Sequence, residues 1–520
     1  MKATSLDSLM ARALVLGACL LTAPALGASG VKVLEPRLST VKPTTPELDE
    51  ETPVERVVVK FHEGTRVRLR QGMIRAMNGE RSQEERGRMA RYKLSEGRLD
   101  QDLNEAQRVM KRSWRWGVPE RLFRQDEATL AERKRSAENL SGKEMADLDL
   151  YYEVPLEPGM KASEVEELIA QLNALDSVEI AYAEPVMWAA SVEVSSDRFS
   201  SSARHDTRQG YLDAAPMGID ARYAWTVPGG RGAGVKLVDV EGAWNTAHED
   251  LPDFFHQGGT TFSDGEWRDH GTAVLGVVAS QSNGYGVTGI AHEAWVGGQG
   301  IATQSMASAI HHAARAVGRG GVVLVELQAP GPRAMKKCAC NQSQCNYVPL
   351  EYWRANFDAI AQATAHGVHV VEAAGNGGVD LDDPVYRGAF NRAVRDSGAI
   401  LVGASASTDH APTCWTNHGS RVDVHSWGEK VVTLGYGDLS GASENRTYTA
   451  TFSGTSSAAP IVAGAVASLQ GAARAAGKGP IRPRVMRELL RATGTPQVPG
   501  PKHIGPQPNL RAAMPRLLSR

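Results

Sequence analysis

A chain of 520 residues is long enough for two or three domains. Its 57 Lys and Arg nearly balance 59 Asp and Glu, which removes the electrostatic case for nucleic acid or a membrane surface as the main partner. A hydrophobic content of 42 % excludes a largely disordered chain, and 53 glycines against 6 % aromatics suit an α/β core with many tight turns.

The N-terminus reads as a targeting segment over residues 1–28. Lys2 and Arg12 precede the apolar run "ALVLGACLL", and "TAPALGASG" supplies small residues for cleavage near Gly27 or Ala28. The run is too short for a permanent membrane span, and no later segment is long and apolar enough for one. The expected destination is therefore outside the cytoplasm. "LGAC", ending at Cys19, is similar to a lipoprotein box, but the apolar run continues past it, so anchoring there is disfavoured.

Export favours two disulfides among Cys338, Cys340, Cys345 and Cys414, with a four-thiolate zinc site as the weaker alternative. If all four are bridged, Cys414 pairs with a member of the cluster "CACNQSQC".

After a Pro/Thr-rich spacer (29–54), residues 55–188 read as a small α+β domain. "ERVVVKFHEGT" predicts a strand and turn. Residues 70–147 are rich in Arg, Glu, Gln and Leu and predict surface helices. "LDLYYEVPL", "KASEVEELIAQLNAL" and "SVEIAYAEPV" then predict strand, helix and strand, with Val165, Leu168, Ile169 and Leu172 on one helix face. Residues 189–208, rich in serine and charge, form a linker.

From 209 to 520 short β-rich runs alternate with helical segments: "VKLVDV", "VVLVEL", "VHVVEAAG" and "AILVGAS". This pattern predicts a three-layer α/β domain, a mostly parallel sheet with helices on both faces. In such sheets functional groups gather where strands end and helices begin. Asp239 sits at the end of "VKLVD", His270 in "DHGTAVLG" before an apolar helix, and Ser456 in "SGTSSAAPIVAG" at another helix entrance, with Pro460 just inside it.

"DHGTAVLG", "AAGNGG" and "GTSSAAPIVAG", in that order after an Asp-bearing strand, resemble the subtilisin-like serine proteases. The order Asp, His, Ser separates that family from chymotrypsin-like and α/β-hydrolase triads. The resemblance implies Ser456 as nucleophile, His270 as general base, Asp239 as the residue that orients the imidazole, and Asn376 as an oxyanion donor beside the Ser456 N–H. Here the acid segment reads Asp239-Val240-Glu241-Gly242, with glycine one residue later than usual; Glu241 and Asp250 are the rivals, and Asp239 is preferred as the strand-end residue.

Further matches carry further expectations. "VVLVELQAPGP" resembles the family's substrate-pairing edge strand, around Glu326, Leu327 and Gln328. "HEDL" and "SQSNGYGVTG" resemble a structural calcium site, with side-chain oxygens from Asp250 and Asn283 and carbonyls from Gln281, Tyr285 and Val287. An ordinary helix cap and Asn-Gly turn explain those residues equally well, and no cofactor is needed for the chemistry. Residues 55–188 resemble the inhibitory propeptide of subtilisins, with a helical insertion. The implied protein is a secreted, monomeric serine endopeptidase made as a zymogen, acting on polypeptides and restrained by its own N-terminal region. A non-catalytic binding protein on the same scaffold is the alternative.

Overall fold

A computed structural model describes residues 34–38, 40–43, 46–111, 118–192, 204–332, 338–441 and 443–519. The targeting segment, Cys19 and the middle of the 189–208 linker lie outside these residues.

The central element is a seven-stranded, wholly parallel sheet. In spatial order its strands are Val424–Trp427, Ile400–Ser405, His369–Ala373, Val322–Val325, Lys236–Glu241, Trp295–Gly300 and His256–Gly258. The four apolar runs singled out in the sequence are four of these strands. They are buried on both faces, as continuous Val/Ile/Leu runs require.

On one face pack helices Gly265–Ala279 and Thr455–Ala475, sharing a core with Leu237, Leu324 and Val371. The other face meets helices Met306–Val317 and Arg354–Ala365, which share a core with Val238, Val240 and Val323. That second core continues without a break into the N-terminal region. There a four-stranded antiparallel sheet, in the order Glu120–Arg121, Tyr151–Pro155, Val54–Phe61 and Val178–Pro185, lies over the two helices. The helix Ala162–Asn173 buries Val165, Leu168 and Leu172, while Ile169 stays at the margin.

The 70–147 stretch supplies three helices, Gln83–Arg91, Glu96–Lys111 and Glu127–Ser141, as expected. The composition did not reveal the hairpin Val67–Arg70/Met73–Ala76 in front of them. The spacer is also more than a tether. The Arg37 guanidinium is buried, bonding Glu179 (Nη1–Oε2, 3.0 Å) and Asp358 on the underlying helix (Nη2–Oδ2, 3.0 Å). Lys60 Nζ lies 2.8 Å from both Glu179 and Glu63, and the Tyr151 hydroxyl donates to Asp358 at 2.6 Å. Burial is thus offset by mutual pairing, and the cations hold Glu179 well below the usual carboxylate range despite it.

Two disulfides form, Cys338–Cys345 and Cys340–Cys414, so Cys414 does pair with the cluster. Among the described residues no helix is long and apolar enough to cross a membrane.

Candidate active site

The strand Lys236–Glu241 alternates its side chains, so Leu237, Asp239 and Glu241 share the face toward the helix Gly265–Ala279. That helix starts five residues before His270, because Asp264 Oδ1 caps it by accepting the Glu266 N–H at 2.6 Å. His270 therefore projects from the helix body instead of preceding it. Its Nδ1 lies 2.6 Å from Glu241 Oε2, and the ring is buried edge-on against Phe452. Gly271 permits this approach; a Cβ there would collide with the Ala243 carbonyl and crowd Glu241 Cγ.

The partner of His270 is thus Glu241, a correction to the expectation of Asp239. The strand runs unbroken to Glu241, so Glu241, not Asp239, is its last inward-facing residue, and its extra methylene adds reach. Asp239 stays deeper, its Oδ2 accepting the Trp244 indole N–H at 2.7 Å. The usable signal was this alternation, which continues to the glycine directly after Glu241.

Asp239 belongs to a second arrangement. Its Oδ1 and both carboxyl oxygens of Glu326 are buried without a donor from any other group. Asp239 and Glu326 are buried neighbours, so a hydrogen bond between them requires a carboxyl proton. Burial, helped by the nearby Glu241 charge, pushes Asp239 up to about 7. Burial together with Asp239 and Glu241 pushes Glu326 well above the carboxylate range. The Glu326 side chain is fully buried, so only its backbone is presented to the cleft.

Ser456 is the second residue of the helix Thr455–Ala475. The three serines of this stretch are now distinguishable. Ser453 Oγ donates to the Thr451 carbonyl (2.7 Å), and Ser457 Oγ to the carbonyls of Trp427 and Gly454 (3.0 Å each). Ser456 Oγ donates to the Glu326 carbonyl at 3.2 Å, while buried His270 Nε2 has no partner. Serine and histidine are not joined in this arrangement. Asn376 lies at the helix start, its Oδ1 accepting the Thr455 N–H and hydroxyl (2.9 Å each) and its Nδ2 donating to Gln344 Oε1 at 3.2 Å.

Residues 188–192 cross this site as an extended strand. Trp188 and Ala189 pair antiparallel with Gln328 and Leu327 of the strand Leu327–Pro330. The Ala190 N–H donates to the Glu326 carbonyl (2.9 Å), and the Ala190 carbonyl accepts the Ser456 N–H (3.1 Å). Ser191 bridges Gly454, and Val192 N–H donates to Ser453 O at 3.3 Å. Gly454, at φ +113°, is needed here: a Cβ would overlap the Ala190 carbonyl oxygen. Glu326 and Leu327 thus meet the strand through their backbones. Gln328 receives the Asn376 N–H on Oε1 (2.7 Å) and reaches the Ala189 carbonyl through Nε2 (3.4 Å).

The residues named for calcium are joined by hydrogen bonds centred on Asp250. Asp250 accepts Asn283 Nδ2 (2.8 Å) and the Val287 N–H (3.0 Å), and burial pushes its carboxyl up to about 7. Asn283 Oδ1 accepts the Tyr285 N–H (3.2 Å), and Gln281 donates its backbone N–H to Asp250 O and Nε2 to Leu251 O (2.9 Å each). A cation needs converging free oxygens, whereas both oxygens of the Asp250 carboxylate already accept N–H groups. The donor set in this conformation does not fit calcium.

Comparison with known proteins identifies the family to which this sheet and its helices belong. The model of the subtilase family matches residues 235–505, just over half the chain. Subtilisin Savinase of Lederbergia lenta is 29 % identical over 246 residues, covering 45 % of this chain and 76 % of that protein. An extracellular protease of Xanthomonas campestris pv. campestris is 27 % identical over 376 residues, 64 % of this chain and 58 % of its own length. In fold, the chain is similar to fervidolysin of Fervidobacterium pennivorans, a keratinolytic enzyme related to subtilisin (TM-score 0.52, 17 % identity, 93 % of this chain and 64 % of that one). The chain belongs to the subtilase family, the subtilisin-like serine endopeptidases.

Proposed function

We propose that this protein is a secreted endopeptidase made as a zymogen, and that its first cut falls between Ala190 and Ser191 of its own chain. One observation carries the reading: the Ala190 carbonyl oxygen accepts the Ser456 N–H at 3.1 Å, the position in which a backbone donor stabilises a developing oxyanion.

The chemistry follows from the residues present. Ser456 Oγ leaves the Glu326 carbonyl by side-chain rotation and donates to His270 Nε2, the nitrogen left free by the Glu241 bond to Nδ1. Oγ then attacks the Ala190 carbonyl carbon as His270 takes its proton. Glu241 keeps the proton on Nδ1 before attack and stabilises the imidazolium afterwards. The Ser456 N–H faces the negative oxygen, and the Asn376 amide, which donates to Gln344 before attack, turns to join it. His270 returns its proton to the Ser191 amine, which leaves, and water hydrolyses the acyl-enzyme.

Until release, residues 188–190 fill the substrate strand, and the N-terminal sheet, fastened by Arg37 and the shared core, holds them there. Export is supported by the leader-like residues 1–28 and by the extracellular relative.

The test is the mature N-terminus of the wild-type protein beside Ser456→Ala. The wild type should yield a chain beginning at Ser191 and cleave casein; Ser456→Ala should remain full length. Processing that persists in Ser456→Ala would overturn the assignment.

A further inference from the structure

The loop 338–345 is closed on itself by Cys338–Cys345 and tied to a distant segment by Cys340–Cys414, 74 residues away in sequence. Such double fastening of an eight-residue loop asks what it holds in place. Within it Asn341 takes the left-handed conformation (φ +52°), opening a short 3-10 turn, Gln342–Gln344. Asn341 Nδ2 donates to Gln344 Oε1 at 3.0 Å and to the Asn376 carbonyl at 3.2 Å. Asn376 Nδ2 also donates to Gln344 Oε1. With its oxygen twice engaged, the Gln344 amide has one orientation, and Nε2 faces the cleft. There it donates to the Ser191 carbonyl at 2.9 Å, with the Ala189 carbonyl at 3.4 Å. One half-buried side chain therefore reaches peptide groups on both sides of the Ala190–Ser191 bond.

We propose that Gln344 is a substrate-binding residue that grips the first carbonyl on the leaving side of the cleaved bond, and that the paired disulfides serve to present it. This rests on the reading that residues 188–192 lie as a substrate does. The contact is to backbone, so it is independent of substrate sequence. Its requirement is that the substrate continue past the cleaved bond. The enzyme should thus favour true internal peptide bonds over small leaving groups that lack that carbonyl.

The experiment compares two substrates on mature enzyme: an internally quenched peptide carrying the sequence of residues 186–195, and Trp-Ala-Ala-p-nitroanilide, which has no carbonyl beyond the scissile bond. Gln344→Ala should lower kcat/KM on the peptide about three- to tenfold, the worth of one hydrogen bond, and change the anilide less than about twofold. Gln344→Glu, which keeps the acceptor but opposes a carboxylate to the Ser191-equivalent carbonyl, should lose at least as much on the peptide alone. The double variant Cys338→Ala/Cys345→Ala should show the same selective loss, and an unchanged substrate ratio there would refute the role of the disulfide. Equal losses on both substrates, or an unaffected peptide rate, would overturn the proposal for Gln344. A wild-type enzyme that cleaves neither substrate would instead remove the peptidase reading on which it stands.

Discussion

His270 Nδ1 lies 2.6 Å from Glu241 Oε2, both groups buried, while Asp239 two residues earlier on the same strand face is held by Trp244. Two carboxylates on one strand thus have separate partners. The separation makes their roles testable one at a time.

Glu241→Gln presents an amide to Nδ1 and no longer enforces the reactive tautomer. Self-processing of the full chain should slow by about 10⁴-fold, as loss of an orienting carboxylate does in serine proteases. Asp239→Asn keeps an acceptor for Trp244 and should process within about tenfold of wild type, an ordinary cost for a group that does not touch the reacting atoms. Mass spectrometry of the converted fraction over time measures both, and the opposite ranking would restore Asp239 as the orienting acid.

The Asp239–Glu326 pair makes a prediction about pH. Both carboxyls titrate above their ordinary range, so the folded protein keeps protons that the unfolded chain has lost above about pH 4. Their contribution is most favourable below that pH and declines as pH rises through Asp239's value of about 7. Glu326→Gln supplies a donor to Asp239 that does not ionise. In a Ser456→Ala background its Tm relative to the parent should therefore improve from pH 5 to pH 8. A difference that shrinks over that interval would show that the two carboxyls do not share a proton.

The buried charges under the N-terminal sheet carry the opposite sign. Glu179 and Asp358 are both lowered despite burial, held down by Arg37 with Lys60 and Arg354. The stability they add is present above the ordinary carboxylate range and is lost as pH falls through their folded values. Asp358→Ala leaves Arg37 and Arg354 without this partner and should cost about 3–5 kcal/mol. Glu293→Ala, which breaks an exposed pair with Arg231, should cost under about 1 kcal/mol. Denaturant unfolding of the two variants in the Ser456→Ala chain gives the comparison, and equal costs would mean that the buried network does not fasten the N-terminal sheet.

Chelation tests the Asp250 cluster. With Asn283 and Val287 already donating to the carboxylate, EDTA should leave Tm unchanged to within a degree or so, since removing a ligand that is not bound shifts no equilibrium. A fall in Tm that Ca²⁺ reverses would mean that Asn283 turns its oxygen inward and the loop rearranges around the ion.

The parallel sheet, the helix entrance at Ser456, the apolar helix beside His270 and the small N-terminal sheet are legible in the residues themselves, whereas the start of that helix five residues before His270 is not. Each legible feature rests on local information: runs of buried β-branched residues, periodicity, and glycines at turns. For the acid the sequence offers Asp239 with Glu241 and Asp250 as rivals, and the preference for Asp239 is the one the structure overturns. Choosing among them required knowing where the strand ends relative to the helix that carries His270, a relation between segments about thirty residues apart in sequence and adjacent only in space. The same holds for Gln344. Nothing in "CACNQSQC" distinguishes that glutamine from Gln342, because its partners Asn376 and Ser191 are brought to it by the sheet, the disulfides and the strand that crosses the cleft. Strand and helix formation are decided within a few residues along the chain, whereas hydrogen-bond partnership is decided by which buried polar groups the packed layers leave facing one another.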